Sequence, residues 1–125
     1  MISRITCYYY LTAANKAPAR EFIDSLDFKT RRKFLFVQEL LEEFGHRLPY
    51  PHAKYLGNSI FELRFKGQEG TIRVLYFFFH QDKVIFTNGF IKKTNKAPKI
   101  EIAIAVERRR EFLARQGGNN INDQS

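Results

Sequence analysis

One cysteine, one methionine and no tryptophan occur among the 125 residues. A single thiol, Cys7, excludes an internal disulfide framework and a multi-cysteine metal site. The chain lacks any run of about 18 apolar residues, so no membrane-spanning helix is expected. Its opening, Met1-Ile2-Ser3-Arg4, has no apolar export core, and a cytoplasmic location is the expectation. Familiar catalytic signatures are missing: there is no glycine-rich phosphate loop, no His-Glu metal helix motif and no nucleophile elbow. No cofactor and no metal is expected. Acidic residues are also scarce, with 13 Asp and Glu against 21 Lys and Arg, for a net charge of +8.

Aromatic residues are abundant: 13 Phe and 6 Tyr contribute to a 44% hydrophobic composition. That content excludes disorder for most of the length. A chain of this size fits one domain and buries about two-thirds of its unfolded surface. The cationic excess is uneven. Residues 53–99 hold nine basic and three acidic side chains, whereas 100–125 hold four of each. A clustered positive field on a small domain favours a polyanion, usually nucleic acid.

Periodicity supplies the elements. Residues 4–11 are β-branched and aromatic and predict a strand. Pro18 marks a first helix carrying Phe22, Ile23 and Leu26. Asp27 can cap a second, with Phe34, Val37, Leu41 and Phe44 along one stripe and Gly45 as its stop. His46 to Asn58 holds two prolines and Gly57 and predicts a loop. Phe61 to Lys66 alternates strictly. Thr71 to Phe79 is apolar on both faces after Arg73, which predicts a central strand. Val84 to Ile91 is a third strand of this series. A polar linker from Lys92 to Pro98 leads to a last helix with Ile102, Ala105, Val106 and Phe112. The order β-α-α-β-β-β-α predicts an α+β fold, mostly antiparallel, with helices packed on the sheet. Residues 1–116 form the expected domain, and 117–125 a disordered tail.

Pairing across the turn of residues 67–70 sets Arg64 directly opposite Arg73. Like charges so placed repel, and arginine cannot shed its proton. Either a bound phosphate relieves them, gripped by both guanidinium groups, or Glu62 or Glu69 neutralises the pair, or the register differs. Setting Phe79 against Val84 in the next hairpin places Phe90 opposite Arg73, with Lys92 and Lys93 close behind. Gly89 allows close approach of a backbone or ligand. Arg31-Arg32-Lys33 opens the second helix, where the macrodipole disfavours cations. His46, His52 and His80 fall in predicted loops, and Cys7 reads as a small core residue.

Phe61-Glu62-Leu63-Arg64, Arg73-Val74-Leu75-Tyr76-Phe77, and Gly89-Phe90-Ile91-Lys92-Lys93 with Pro98 together resemble the phage-derived, HigB-like branch of the RelE/ParE toxin superfamily. The resemblance extends over about residues 3–115. It implies a type II toxin that cuts mRNA on the ribosome. The implied partners are a helix-turn-helix antitoxin and, through their complex, operator DNA, with no role for a membrane. Carried over by position, Arg64 and Arg73 would stabilise phosphate charge, and Lys92 or Lys93 would serve as general base. RNA-binding candidates are Arg31, Arg32, Lys33, Lys54, Lys66 and Lys96. The last-helix tyrosine of RelE falls near Ile102 here, and His52 and His80 are possible substitutes for the family's histidine. Tyr76, Phe77 and Phe90 can stack a base only if they are not core. Two other classes share the charge pattern: a non-catalytic nucleic-acid-binding module and a gyrase-directed inhibitor like ParE.

Overall fold

A computed structural model describes residues 4–93 and 98–123, with side chains through Gln116. The elements run β1 (Thr6–Tyr9), α1 (Pro18–Asp24), α2 (Phe28–Phe44), β2 (Ala53–Gly57), β3 (Ile60–Lys66), β4 (Thr71–Phe79), β5 (Lys83–Lys92) and α3 (Lys99–Asp123). A short 3-10 turn, Gly45–Arg47, follows α2. The strands form one sheet in the order β1-β5-β4-β3-β2. All neighbours are antiparallel except β1 with β5. The fold is therefore α+β, and no described helix is long and apolar enough to cross a membrane.

Alternation along the strands sends successive side chains to opposite faces. One face meets α1 and α2: Ile23, Phe34, Val37 and Leu41 pack with Leu63, Phe65, Ile72, Val74, Tyr76 and Phe86. The other meets α3, whose Ile102, Ala105, Val106 and Phe112 join Leu75, Phe77, Phe79, Ile85 and Phe90. β4 lies in the middle and is covered on both sides, which explains its unbroken apolar run. Asp27 caps α2: its carboxylate accepts from the Thr30 amide at 3.2 Å and from the Thr30 hydroxyl at 2.6 Å. Those bonds hold the Asp27 carboxyl below the usual carboxylate range.

Several expectations need correction. The predicted loop of residues 46–58 contains a strand, because Ala53–Tyr55 pairs with Phe61–Leu63 as an edge. At the β4–β5 hairpin Phe79 pairs with Lys83 and not with Val84. A bulge then shifts the register between Leu75 and Tyr76, so Arg73 meets Phe90 as expected. Thr87 is the extra residue. Its hydroxyl donates to the Leu75 carbonyl at 3.3 Å, and its own carbonyl accepts from Arg108 of α3 at 2.9 Å. The close approach allowed by Gly89 is made by the Phe22 ring of α1. Helix α3 is assigned through Asp123. The side chains of 117–123 and residues 124–125 lie outside the described residues.

Two outcomes follow from this packing. A Cβ added at Gly89 collides with the Phe22 ring, so Gly89→Ala should cost about 1–3 kcal/mol by overpacking. Thermal unfolding should show a lower midpoint, partly recovered when Phe22→Leu is added. An unchanged midpoint in the single variant contradicts the contact. Cys7 is the second case: burial, helped by the charge of Glu42, pushes its thiol up to about 12. At pH 8 only about one thiol in ten thousand is then ionised. Because the thiolate is the reactive form, iodoacetamide should label the folded chain about a thousandfold more slowly than the urea-unfolded chain. Labelling of the folded chain should accelerate as pH rises, and comparable rates in the two states at pH 8 would exclude this burial.

Candidate active site

The α3-facing side of the sheet is apolar only where α3 covers it. Beyond the first turn of α3 the same face carries charge in three rows set by strand register. One row runs Arg64, Arg73, Phe90. Continuing the β2–β3 register by one step adds His52, whose carbonyl accepts from the Arg64 amide at 2.8 Å. The second row runs Lys54, Glu62, Leu75, Asn88, and the third Lys66, Thr71, Lys92. Paired residues share a face, so Lys54, Arg64, Lys66, Arg73 and Lys92 occupy one surface, with His52 joined to its edge through the backbone.

Glu62 organises it. This carboxylate is 1% exposed. Its Oε1 accepts from Arg73 at 2.5 Å and lies 3.8 Å from the Arg64 Nε. The cross-strand arginines are therefore bridged by one buried acid, Glu62, which was one of the alternatives expected. Two guanidinium charges meet one carboxylate, leaving an uncompensated positive charge. Arg73 is 7% exposed, and its Nε is buried without a partner among the described residues. Arg64 is more accessible and lies over the Tyr50 ring, 4.7 Å from its centroid. Stacking and the Glu62 contact together restrict where the Arg64 fork can point.

Lys54 and Lys66 are exposed and Lys92 is half-buried. None of the three is in an ion pair among the described residues. At the α3 border, the Asn88 amide donates to the Glu101 carbonyl at 3.2 Å and to its carboxylate at 3.0 Å. That bond fixes the helix start against the sheet beside Phe90 and Ile102. A groove of about 380 Å³ lies at the far end of the same face, lined by Tyr8, Leu11, Phe79, Ile85 and Phe112. Its floor is mostly apolar, with Lys83 and Arg115 also in its lining, away from the arginine pair.

Other candidates fall elsewhere. Lys93 follows the end of β5 and is exposed, outside the strand rows. Lys96 lies outside the described residues. Arg31, Arg32 and Lys33 lie on α2, across the sheet from the arginines. Tyr76 and Phe77 are fully buried core, and Phe90 packs beneath α3. His80 belongs to the distant β4–β5 turn, and His46 stacks on Phe78 with ring centroids 3.6 Å apart, on the α2 side. His52 alone of the three histidines adjoins the patch, through its backbone bond to Arg64. Its place was hidden because the edge strand carrying its neighbours reads as loop, with two prolines just before it.

The family model described as Phage derived protein Gp49-like (DUF891) matches residues 21–110. The chain belongs to this family. Every residue of the charged face falls within the matched stretch of this Gp49-like chain. No curated protein matches it.

Removing one member of a buried ion pair leaves the other charged and desolvated, at about 3–5 kcal/mol. Arg73→Met should therefore lower the urea midpoint sharply, whereas Glu62→Leu with Arg73→Met should return near the parent value. If Arg73→Met alone is as stable as the parent, the bridge does not hold the sheet.

Proposed function

We propose that this Gp49-like chain is the toxin of a type II toxin–antitoxin pair and an endoribonuclease that cuts mRNA during translation. Three considerations support the reading. The family is phage-derived, the sequence blocks resemble HigB-like members of the RelE/ParE superfamily, and one sheet face concentrates cations. The observation that carries it is the Arg64–Arg73 pair bridged by Glu62 and rimmed by Lys54, Lys66 and Lys92.

RNA brings its own nucleophile, the 2′-OH. Its oxygen attacks the adjacent phosphorus in line, and the bond to the 5′ oxygen breaks. The products are a 2′,3′-cyclic phosphate and a 5′-OH. One proton leaves the 2′-OH and another must reach the departing 5′ oxygen. Arg64 is the group placed to hold the phosphoryl oxygens, since a planar fork matches phosphate bidentately. Arg73 acts through Glu62 as a positioning residue. Imidazole can take or give a proton near neutrality, and His52 is the imidazole at the edge of the patch. Lys92 is the alternative base of the earlier expectation. Lys54 and Lys66 would follow the backbone on either side.

Glu62, the carboxylate between the two arginines, is engaged by Arg73 and is not free to share proton transfer with His52 or Lys92. Positioning must then come from outside, and well-oriented geometry can supply about 7–11 kcal/mol. A ribosome with mRNA in its decoding site is the surface the family resemblance supplies. The cognate antitoxin, a helix-turn-helix protein, would silence the toxin and carry the complex to operator DNA.

Induced expression should arrest growth, and primer extension should show cuts only on translated mRNA, in register with the reading frame. Arg64→Ala should reduce cleavage by roughly 10²–10³-fold and restore growth without loss of fold. Lys66→Ala should weaken binding to RNA and lower its salt dependence by about one phosphate. Full cleavage by folded Arg64→Ala would remove the phosphate assignment. Efficient cutting of naked RNA would remove the dependence on translation. Growth arrest without RNA cuts, but with gyrase-linked DNA breaks, would favour the ParE-like alternative.

A further inference from the structure

The cations that open α2 take no part in the face just described, and the outward side of α2 is unusual in two respects. Large apolar side chains stand in solvent there: Phe28 is 65%, Leu35 56% and Phe36 59% exposed. The helix also carries its charges against its own macrodipole. Lys29, Arg31, Arg32 and Lys33 crowd the positive N-terminal end, Glu39, Glu42 and Glu43 the negative C-terminal end, and the first turn holds no acid. Both features cost stability in an isolated chain.

The outward stripe is Phe28, Arg32, Leu35, Phe36, Glu39 and Glu43. Its spacings are four, three, one, three and four, the same read from either end. Laid antiparallel on a second α2, with a two-fold axis between Leu35 and Phe36, the stripe meets itself. Leu35 then faces Phe36 of the second copy, and Arg32 faces its Glu39. Arg32, Glu39 and Glu43 have no ion-pair partner among the described residues, and Arg32 lies over the Phe28 ring, 5.8 Å from its centroid. Antiparallel pairing also sets the basic, dipole-positive end of one helix beside the acidic, dipole-negative end of the other. One arrangement thus covers the apolar centre and offsets the inverted charge order. A two-fold contact requires such self-complementarity.

We infer that the outward face of α2 is an isologous interface through which two copies of this chain associate. A single helix pair covers less than the roughly 800 Å² per partner of a standard stable interface, so the dimer is weak and concentration-dependent. The net charge of +8 on each copy opposes association at low salt. Physiological ionic strength, with a Debye length of about 8 Å, screens that long-range repulsion but leaves the apolar contact. Because α2 lies across the sheet from Arg64, dimerisation leaves both charged faces open.

Sedimentation velocity over a concentration series tests this directly. The parent chain should shift from monomer towards dimer as concentration rises, more so at physiological than at low salt. Leu35→Asp should stay monomeric with an unchanged melting temperature, since that side chain is exposed. Arg32→Glu and Glu39→Arg should each weaken the dimer, and the two together should restore it. A parent chain that is monomeric at every soluble concentration overturns the inference. So does a double exchange that fails to recover what either single change loses. If Arg32→Glu instead abolishes mRNA cleavage while the parent is monomeric, the basic end of α2 is an RNA contact and the interface is rejected. Loss of toxicity in Arg64→Ala bears only on the proposed function, so the two readings fail separately.

Discussion

A single buried carboxylate sets the character of this molecule. Glu62 sits on β3 where the sheet face passes from apolar to cationic, and its oxygen lies between Arg73 and Arg64. Without it the two guanidinium groups, held opposite each other by strand register, would push β3 and β4 apart. With it, one arginine is committed to the interior and the other is left half free. The bridge is a poor source of net stability, since burying ions costs nearly what their attraction returns. Its effect is to fix geometry: Arg73 is buried against Glu62, and Arg64 is held between Glu62 and the Tyr50 ring.

Much of this was legible from local rules. The short turn at residues 67–70 fixes the β3–β4 register, so the opposition of Arg64 and Arg73 follows from counting. The next hairpin also gave the correct partner for Arg73, though by a route that missed its turn. The assumed pairing was wrong by one residue at Phe79, and the Thr87 bulge compensates exactly one residue. Nothing in the sequence around Thr87 announces a bulge, because its cause lies in α3, whose Arg108 binds the bulged carbonyl. β2 was illegible for a different reason. It is short, lies at the edge, and follows Pro49 and Pro51, so local signals favour a loop while pairing with β3 decides otherwise. Missing β2 hid His52, which adjoins the patch only through that pairing. Glu62 was visible as one of two acids able to neutralise the arginines, but choosing it over Glu69 required the burial that only the fold supplies.

Gly89 illustrates how one sequence signal can point to a ligand and be satisfied by the protein itself. A glycine next to a cationic strand end suggests close approach, and close approach occurs, but on the other face, where the Phe22 ring takes the space a Cβ would need. Alternation is the reason. Gly89 and Phe90 are neighbours in sequence and face opposite ways, so the glycine serves α1 while Phe90 serves α3 and borders the patch.

The same alternation separates the two charged surfaces. Basic residues on α2 and those around Arg64 add up in the composition, yet a helix layer and the sheet stand between them. Their spacing is about 20 Å, more than twice the Debye length of about 8 Å at physiological ionic strength. Exposed charges that far apart do not act as one field. The excess of residues 53–99 bears on the sheet face, through Lys54, Arg64, Lys66, Arg73 and Lys92, whereas α2 is nearly balanced along its length and only polarised end to end. A face with one sign of charge suits a polyanion of any sequence. A helix with both signs, ordered against its dipole and centred on exposed Leu35 and Phe36, suits a surface of matching order and opposite direction, and another α2 laid antiparallel is such a surface.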